Sequence, residues 1–191
     1  MFSAAILAGG RARRLGGIDK SALPIHGTSI LERQLAVLRC VTPHILIVAS
    51  DEDRYRDAGV PIVCDRIRGA GSLGGLYTAL VEAPTDQLVV MACDMPFLTA
   101  PILTRLAALG DGVDAAIPRD AHGLHPLCAA WSRRAAPHLR ARIDEGRLRI
   151  LDALAGLDVR EMDPGELARF DPDGRLLLNV NTPDDYTRAT A

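Results

Sequence analysis

Several common signatures are missing from this sequence of 191 residues. Neither sign of charge dominates. The formal net charge is −2, so the chain as a whole is not built for a long polyanion or a membrane surface. No run approaches the ~20 consecutive apolar residues that span a bilayer. The N-terminus has no basic region leading into a long apolar stretch, so no secretory leader is read and a cytoplasmic protein is expected. Cys40, Cys64, Cys93 and Cys128 form no C-x-x-C pair. The last three sit in apolar runs and read as small buried side chains of a reduced protein, not as a zinc site. No linker, low-complexity tract or internal repeat interrupts the chain, which leaves one domain over residues 1–191. Ser–His–Asp order and a nucleophile elbow are absent as well.

What is present is alternation. Short apolar runs at Phe2–Leu7, His44–Ala49, Pro61–Cys64, Gln87–Cys93, Ala115–Pro118, Pro126–Trp131 and Leu176–Val180 read as strands. Several are almost continuously apolar, as expected for strands covered on both faces. Helix-period segments lie between them. One begins at Ser29, with Glu32 three residues later in a capping-box pattern and Leu31, Leu35 and Leu38 on one face. Leu73, Leu76 and Leu80 mark a second helix, and Ile102, Leu106 and Leu109 a third, with Thr99 and Pro101 at its start. Arg133–Glu145 reads as a helix and "DPDGR" at 171–175 as a turn. A final helix starts at Thr182, with Pro183 in its first position and Asp184 and Asp185 in its first turn. Strand–helix alternation with short connections predicts an α/β domain: a mostly parallel sheet with helices on both faces.

In such a sheet, ligands bind beyond the C-terminal strand ends. The first of these ends carries "LAGGRARRLGGIDK", Leu7 to Lys20, which combines turn glycines with Arg11, Arg13, Arg14 and Lys20. Gly9 and Gly10 let backbone N–H groups approach a phosphate chain, and Arg14 and Lys20 can add charge-assisted bonds. The spacing matches neither a Walker-type P-loop nor a dinucleotide G-x-G-x-x-G fingerprint. Asp94 follows the strand "QLVVMAC". A carboxylate facing a phosphate loop repels the ligand unless a hard cation such as Mg²⁺ lies between them. Asp65 follows Cys64, and Asn179 and Asn181 end "LLLNVNT". "GAGSLGG", Gly69–Gly75, leads into a helix N-terminus that can pack against a flat base or offer N–H groups to an anion. His122 and His125 lie in a turn without a third ligand, and His125 is read as orienting a loop or a substrate phosphate.

"LAGGRARRLGGIDKSAL" resembles the signature of the nucleotidyltransferases that include sugar-1-phosphate pyrophosphorylases. Its "GG-x-ARR-x-GG-x-DK" form more narrowly resembles molybdenum cofactor guanylyltransferases of the MobA type. "GSLGGL", "MACDMPFL", "HPLCAAW" and "LLNVNTPDDY" then fall in that family's order and spacing, so the likeness runs from about Leu7 to Tyr186. It implies a Rossmann-like nucleotidyltransferase fold, and GMP transfer from GTP to the phosphate of molybdopterin with release of pyrophosphate. Mg²⁺ is the implied cofactor. Transient contacts with cofactor-biosynthesis proteins or acceptor molybdoenzymes are implied, and nucleic acid and membrane are not. Carried over by position, Leu7, Ala8 and Gly9 contact the nucleotide, and Gly10, Arg14 and Lys20 hold the triphosphate. Asp65 and Gly74 lie at the nucleotide, Asp94 binds the metal, and Asn179 and Asn181 line the entry of the pterin phosphate. Arg14, Lys20 and Asp94 are the expected catalytic set. Ser50 stands where the family often has Asn near the base, and Ser72 where it commonly has Pro. Two other readings fit part of the pattern: a molybdopterin cytidylyltransferase, which more often shows "LAAG" here, and a nucleotide-binding regulator without chemistry.

Overall fold

The computed structural model describes residues 1–8 and 20–191. Ten strands run in chain order: β1 Ser3–Ala8, β2 Pro24–Ile25, β3 Thr28–Ser29, β4 Ile45–Ala49, β5 Ile62–Cys64, β6 Gln87–Ala92, β7 Ala115–Asp120, β8 Gly123–Leu124, β9 Cys128–Ser132 and β10 Val159–Met162. The α-helices are α1 Ile30–Arg39, α2 Gly71–Glu82, α3 Ala100–Leu109, α4 Ala136–Asp144, α5 Pro164–Leu167 and α6 Pro183–Thr190.

The main sheet has the order β10-β7-β9-β6-β1-β4-β5, with β8 paired to β7. β1 pairs in parallel with both β4 and β6, β4 with β5, and β7 with β10. β9 runs antiparallel between β6 and β7. The architecture is therefore the mostly parallel α/β sheet expected, with β9 and the short β8 reversed. β2 and β3 form a separate small hairpin.

Alternation along the central strands divides the core. Ala4, Ile6 and Ala8 face one layer with Leu35 and Leu38 of α1 and Ile102 and Leu106 of α3. Ala5 and Leu7 face the other layer with Leu73 and Leu76 of α2 and Leu139 of α4. This is the period-two geometry of a strand buried on both faces. The caps expected from sequence form: Ser29 and Glu32 close a capping box on α1, and Thr182 and Asp185 close one on α6.

Three expectations are corrected. Leu176–Val180 is not a strand: it is an irregular segment whose Leu176 and Leu177 enter one core layer while Val180 packs with Ile25, Ile30 and Ala189. Both edges of the neighbouring β6 are already occupied by β1 and β9, so no ladder position is open to it. Conversely, β10 is a strand that its polar centre, Arg160 and Glu161, concealed; it lies at the sheet edge, where such residues face water. Cys64 is exposed and Cys93 only half-buried. The reason for Cys64 is again position, since β5 is the opposite edge. Cys128 in central β9 is buried, and burial pushes its thiol up to about 12.

Candidate active site

Parallel β1, β4, β5 and β6 deliver their following residues to one edge of the sheet. Ala8 ends β1, Ser50 follows β4, Asp65 follows β5 and Asp94 lies just beyond β6. Gly9, Gly10 and Arg14, together with the other loop cations Arg11 and Arg13, lie outside the described residues. Lys20, the last residue of the opening motif, is described and reaches this edge.

Lys20 Nζ donates to Asp94 Oδ2 at 3.4 Å and also to Asn181 Oδ1. Three residues separated widely in sequence thus meet at one point, although of the three only Asp94 follows a strand, Lys20 lying in a 3₁₀ turn and Asn181 after an irregular segment. The segment carrying Asn181 is tied there by its backbone, because Val180 N donates to Asp94 O at 2.8 Å. The Asp185 carboxylate of the α6 capping box accepts from Asn181 N at 3.0 Å and Thr182 N at 2.9 Å. Helix capping and site assembly share the same residues.

The Asp94 side chain is only 15% exposed. Burial pushes its carboxyl above the ordinary carboxylate range, and the Lys20 ammonium offsets part of that rise. Its second oxygen, Oδ1, is buried with no hydrogen-bond partner among the described residues. An orphaned anionic oxygen of this kind suits a hard cation, which one or two carboxylates and substrate phosphates commonly hold together. Among the described residues no cluster of three or more metal-ligating side chains exists. The donor set therefore suits a metal shared with a phosphate ligand better than one caged by protein alone.

Asp65 is a second carboxyl of the same character: burial raises its pKa, and its Oδ1 has no hydrogen-bond partner among the described residues. Gly75 of α2 faces it. A Cβ at Gly75 would sit 3.6 Å from Asp65 Oδ1 and 3.8 Å from both Leu7 methyl groups. Gly74 points elsewhere. A Cβ there would be 2.7 Å from Ala70 Cβ and 3.2 Å from Ile67 O, so packing of the preceding turn requires that glycine. Sequence selected Gly74, whereas Gly75 is the one beside Asp65 and Leu7.

A cavity of about 280 Å³ has Asp94 in its wall. Its wall includes Asp94, Asn179, His125, Leu127, Ile150 and Leu151. Asn179 also donates to Leu177 O at 3.1 Å, which orients its amide. His125 Nε2 lies 2.9 Å from Asp120 Oδ2. Asp120 Oδ1 accepts from His122 N at 2.7 Å and Gly123 N at 3.1 Å, fixing the β7–β8 turn. Asp120's burial works upward on its pKa, but His125 and the turn N–H groups outweigh it and hold the carboxyl below its ordinary value. The Asp120–His125 contact and the apolar lip at 150–151 were not apparent from sequence, since neither carries a spacing signal.

A sheet edge that gathers a cation and two half-buried carboxyls beside a largely apolar pocket is an arrangement suited to a nucleotidyltransferase of the α/β class. Comparison with known proteins is specific about which. Residues 4–159 match the model of the MobA-like NTP transferase domain, and the chain belongs to that family. It is 32% identical over 187 residues to the molybdenum cofactor guanylyltransferase of Desulfosudis oleivorans, covering 97% of this chain and 93% of that protein. The crystal structure of molybdopterin-guanine dinucleotide biosynthesis protein A from Archaeoglobus fulgidus superposes with a TM-score of 0.87 at 31% identity, covering 100% of this chain and 97% of that one. A manganese complex of a Mycobacterium tuberculosis protein superposes with a TM-score of 0.72 at 25% identity, covering 99% and 97% of the two chains. Among the described residues no helix is long and apolar enough to cross a membrane.

Proposed function

We infer that this chain transfers GMP from GTP to the phosphate of molybdopterin, forming the guanine dinucleotide and pyrophosphate. The observation that carries the reading is the meeting of Lys20, Asp94 and Asn181 between a nucleotide edge and a separate cavity. Two substrates need two compartments with a shared boundary, and Asp94, which meets Lys20 and also lines the cavity, supports that reading.

The acceptor phosphate oxygen attacks the α-phosphorus of GTP. The bond from that phosphorus to the bridging β-phosphate oxygen breaks, and pyrophosphate leaves. The acceptor is already an anion, so no general base is needed, and the protein's task is alignment and charge stabilisation. Lys20 stands where it can exchange Asn181 for phosphate oxygens while remaining near Asp94. Arg14 is assigned to the departing pyrophosphate from its place in the opening motif. Leu7, Ala8, Gly9 and Gly10 are assigned to the nucleotide from their place in the opening motif. Asp65 is an acceptor for donor groups of the nucleotide, Gly75 leaves room beside it, and Ser50 borders the same side with one hydroxyl. Asn179, Asn181 and His125 face the acceptor side.

Asp94 Oδ1 is the oxygen suited to hold Mg²⁺, which when bound supplies positive charge to phosphate oxygens. Acceptor molybdoenzymes or cofactor-biosynthesis proteins are the proposed transient partners, as takers or givers of the pterin.

The test is incubation with molybdopterin, Mg²⁺ and either GTP or CTP, with chromatography of the pterin product and an assay for pyrophosphate. The guanine dinucleotide with equimolar pyrophosphate is expected from GTP. Preferential turnover of CTP would move the protein to the cytidylyl class, and nucleotide binding without pyrophosphate would make it a regulator.

A further inference from the structure

We propose that Gln34 of α1 is the positioning residue for Asp94, acting through the carbonyl groups on either side of it. The proposal rests on the reading of Asp94 as the carboxylate that holds a metal in guanylyl transfer.

Gln34 is 2% exposed and lies among the apolar positions of α1. Its Nε2 donates to Ala92 O at 2.8 Å and to Met95 O at 3.0 Å. Those two carbonyls bracket Cys93 and Asp94. A single amide nitrogen, entering from a helix on one face of the sheet, therefore closes the turn that presents the Asp94 side chain.

The orientation of the amide follows from chemistry. Turned over, Gln34 Oε1 would point at two carbonyl oxygens, neither of which can donate. In the orientation present, Oε1 is buried without a hydrogen-bond partner among the described residues. A glutamine needed only to fill space would leave no such orphan if replaced by Leu or Met, as Leu35 and Leu38 show on the same helix. The residue is suited to its donors.

Backbone hydrogen bonds also tie the turn. Ala92 N donates to Leu127 O at 2.8 Å, Cys93 N to Leu7 O at 3.2 Å and Val180 N to Asp94 O at 2.8 Å. Within the turn, Met95 N reaches Ala92 O at a long 3.4 Å. Gln34 is the side chain that strengthens this weak closure. A small cation binds at about 2.0–2.1 Å with near-octahedral demands, so a carboxylate displaced by a fraction of an ångström loses affinity.

Gln34→Met keeps the volume and removes both donors. Leu38→Ala, on the same helix and outside the turn, serves as a control for lost stability. Mn²⁺ binding to each protein with saturating GTP is followed by electron paramagnetic resonance, and amide exchange is measured over residues 92–96. Gln34→Met is expected to weaken Mn²⁺ about tenfold, with faster exchange confined to 92–96 and metal-free GTP affinity within about twofold of wild type. Leu38→Ala is expected to bind Mn²⁺ as wild type does, at a temperature where both variants are folded. Wild-type Mn²⁺ affinity in Gln34→Met, or an equal loss in Leu38→Ala, would reduce Gln34 to a core residue and overturn the proposal. If Gln34→Met does not fold, Gln34→Asn withdraws the same amide by one methylene and is held to the same outcomes. The resonance experiment contains no acceptor. Mn²⁺ binding by a wild-type protein that makes no dinucleotide would sink the guanylyl reading and leave the Gln34 comparison valid. No Mn²⁺ binding by wild type would overturn the metal assignment and this proposal together.

Discussion

Lys20 Nζ stands 3.4 Å from Asp94 Oδ2, and the two are separated by 74 positions in the chain. The ammonium comes from the end of the glycine-rich motif and the carboxylate from the end of β6. Their side chains are 20% and 15% exposed, so the pair is screened less than a surface ion pair. Removing either partner leaves the other's charge in a poorly solvated place. Lys20 holds Asp94 in the free protein, and the proposed reading gives it a second duty toward phosphate when GTP is bound.

Lys20→Ala removes both. The protein should still fold, because Lys20 lies in a short 3₁₀ turn outside the two core layers. GTP affinity should fall, and kcat/KM should drop by about 10²–10³-fold, the usual cost of one preorganised charge-stabilising donor. Calorimetric GTP titration and pyrophosphate release check this. A folded variant with wild-type GTP affinity and turnover would remove Lys20 from the site.

Adjacent glycines should respond in opposite ways. Gly74→Ala must place a methyl 2.7 Å from Ala70 Cβ, a contact no flexible side chain can relieve. A loss of about 1–3 kcal/mol is expected from overpacking, with the KM for GTP little changed in the folded fraction. Gly75→Ala meets Asp65 and Leu7 only at ordinary contact distances. It should keep wild-type stability but raise the KM for GTP, because the methyl occupies space beside the unpartnered Asp65 oxygen. Urea unfolding and steady-state kinetics on both variants separate the effects.

Asp65 sets a pH dependence whose sign is opposite to that of a salt-bridged carboxylate. Burial raises its folded pKa above the unfolded value of about 3.9. Between those values the folded state holds a proton that the unfolded state has released. Stability contributed by this group therefore falls as pH rises through the window and levels off above the folded pKa. Asp65→Asn should flatten that part of the profile and be more stable than wild type at neutral pH without ligand, while binding GTP less well. Urea midpoints from pH 4 to 8 test it; a profile parallel to wild type would show that the carboxyl is not strained by burial.

His125 lines the cavity, and its Nε2 lies 2.9 Å from Asp120 Oδ2. His125→Ala should raise the KM for molybdopterin several-fold and leave the KM for GTP unchanged. A shift confined to GTP would place the imidazole on the wrong side of Asp94.

Sequence patterns located what depends on local rules. The apolar runs of β1, β4 and β6, the Ser29–Glu32 and Thr182 caps, and the strand-end positions of Asp65 and Asp94 all follow from periodicity, capping and topology. Leu176–Val180 did not follow, because whether an apolar run joins a sheet depends on a vacant edge, and β6 had none. β10 was concealed for the converse reason, as an edge strand carries polar residues. Gln34 looked like one polar position in an amphipathic helix, and its contacts with Ala92 O and Met95 O arise only from tertiary packing. Choosing between Gly74 and Gly75 likewise required the helix's rotation about its axis, which glycine content does not reveal.

Asp94→Asn bears most directly on the chemistry. It preserves the side chain's shape, removes its charge and replaces one oxygen with an amide. In the free protein that change should be tolerated or mildly stabilising, since burial already disfavours the ionised carboxyl. Lys20 then loses its anionic partner but keeps Asn181 Oδ1. Without divalent metal, GTP should bind the variant at least as well as wild type, because a negative charge facing the phosphates has gone. With Mg²⁺ the order should reverse: wild type gains affinity, the variant gains little, and turnover falls by about 10²-fold or more. Parallel GTP titrations with and without Mg²⁺, combined with pyrophosphate release, measure all three quantities. Equal strengthening by Mg²⁺ in both proteins, with turnover retained, would make Asp94 a turn residue whose orphaned Oδ1 has no part in holding a metal.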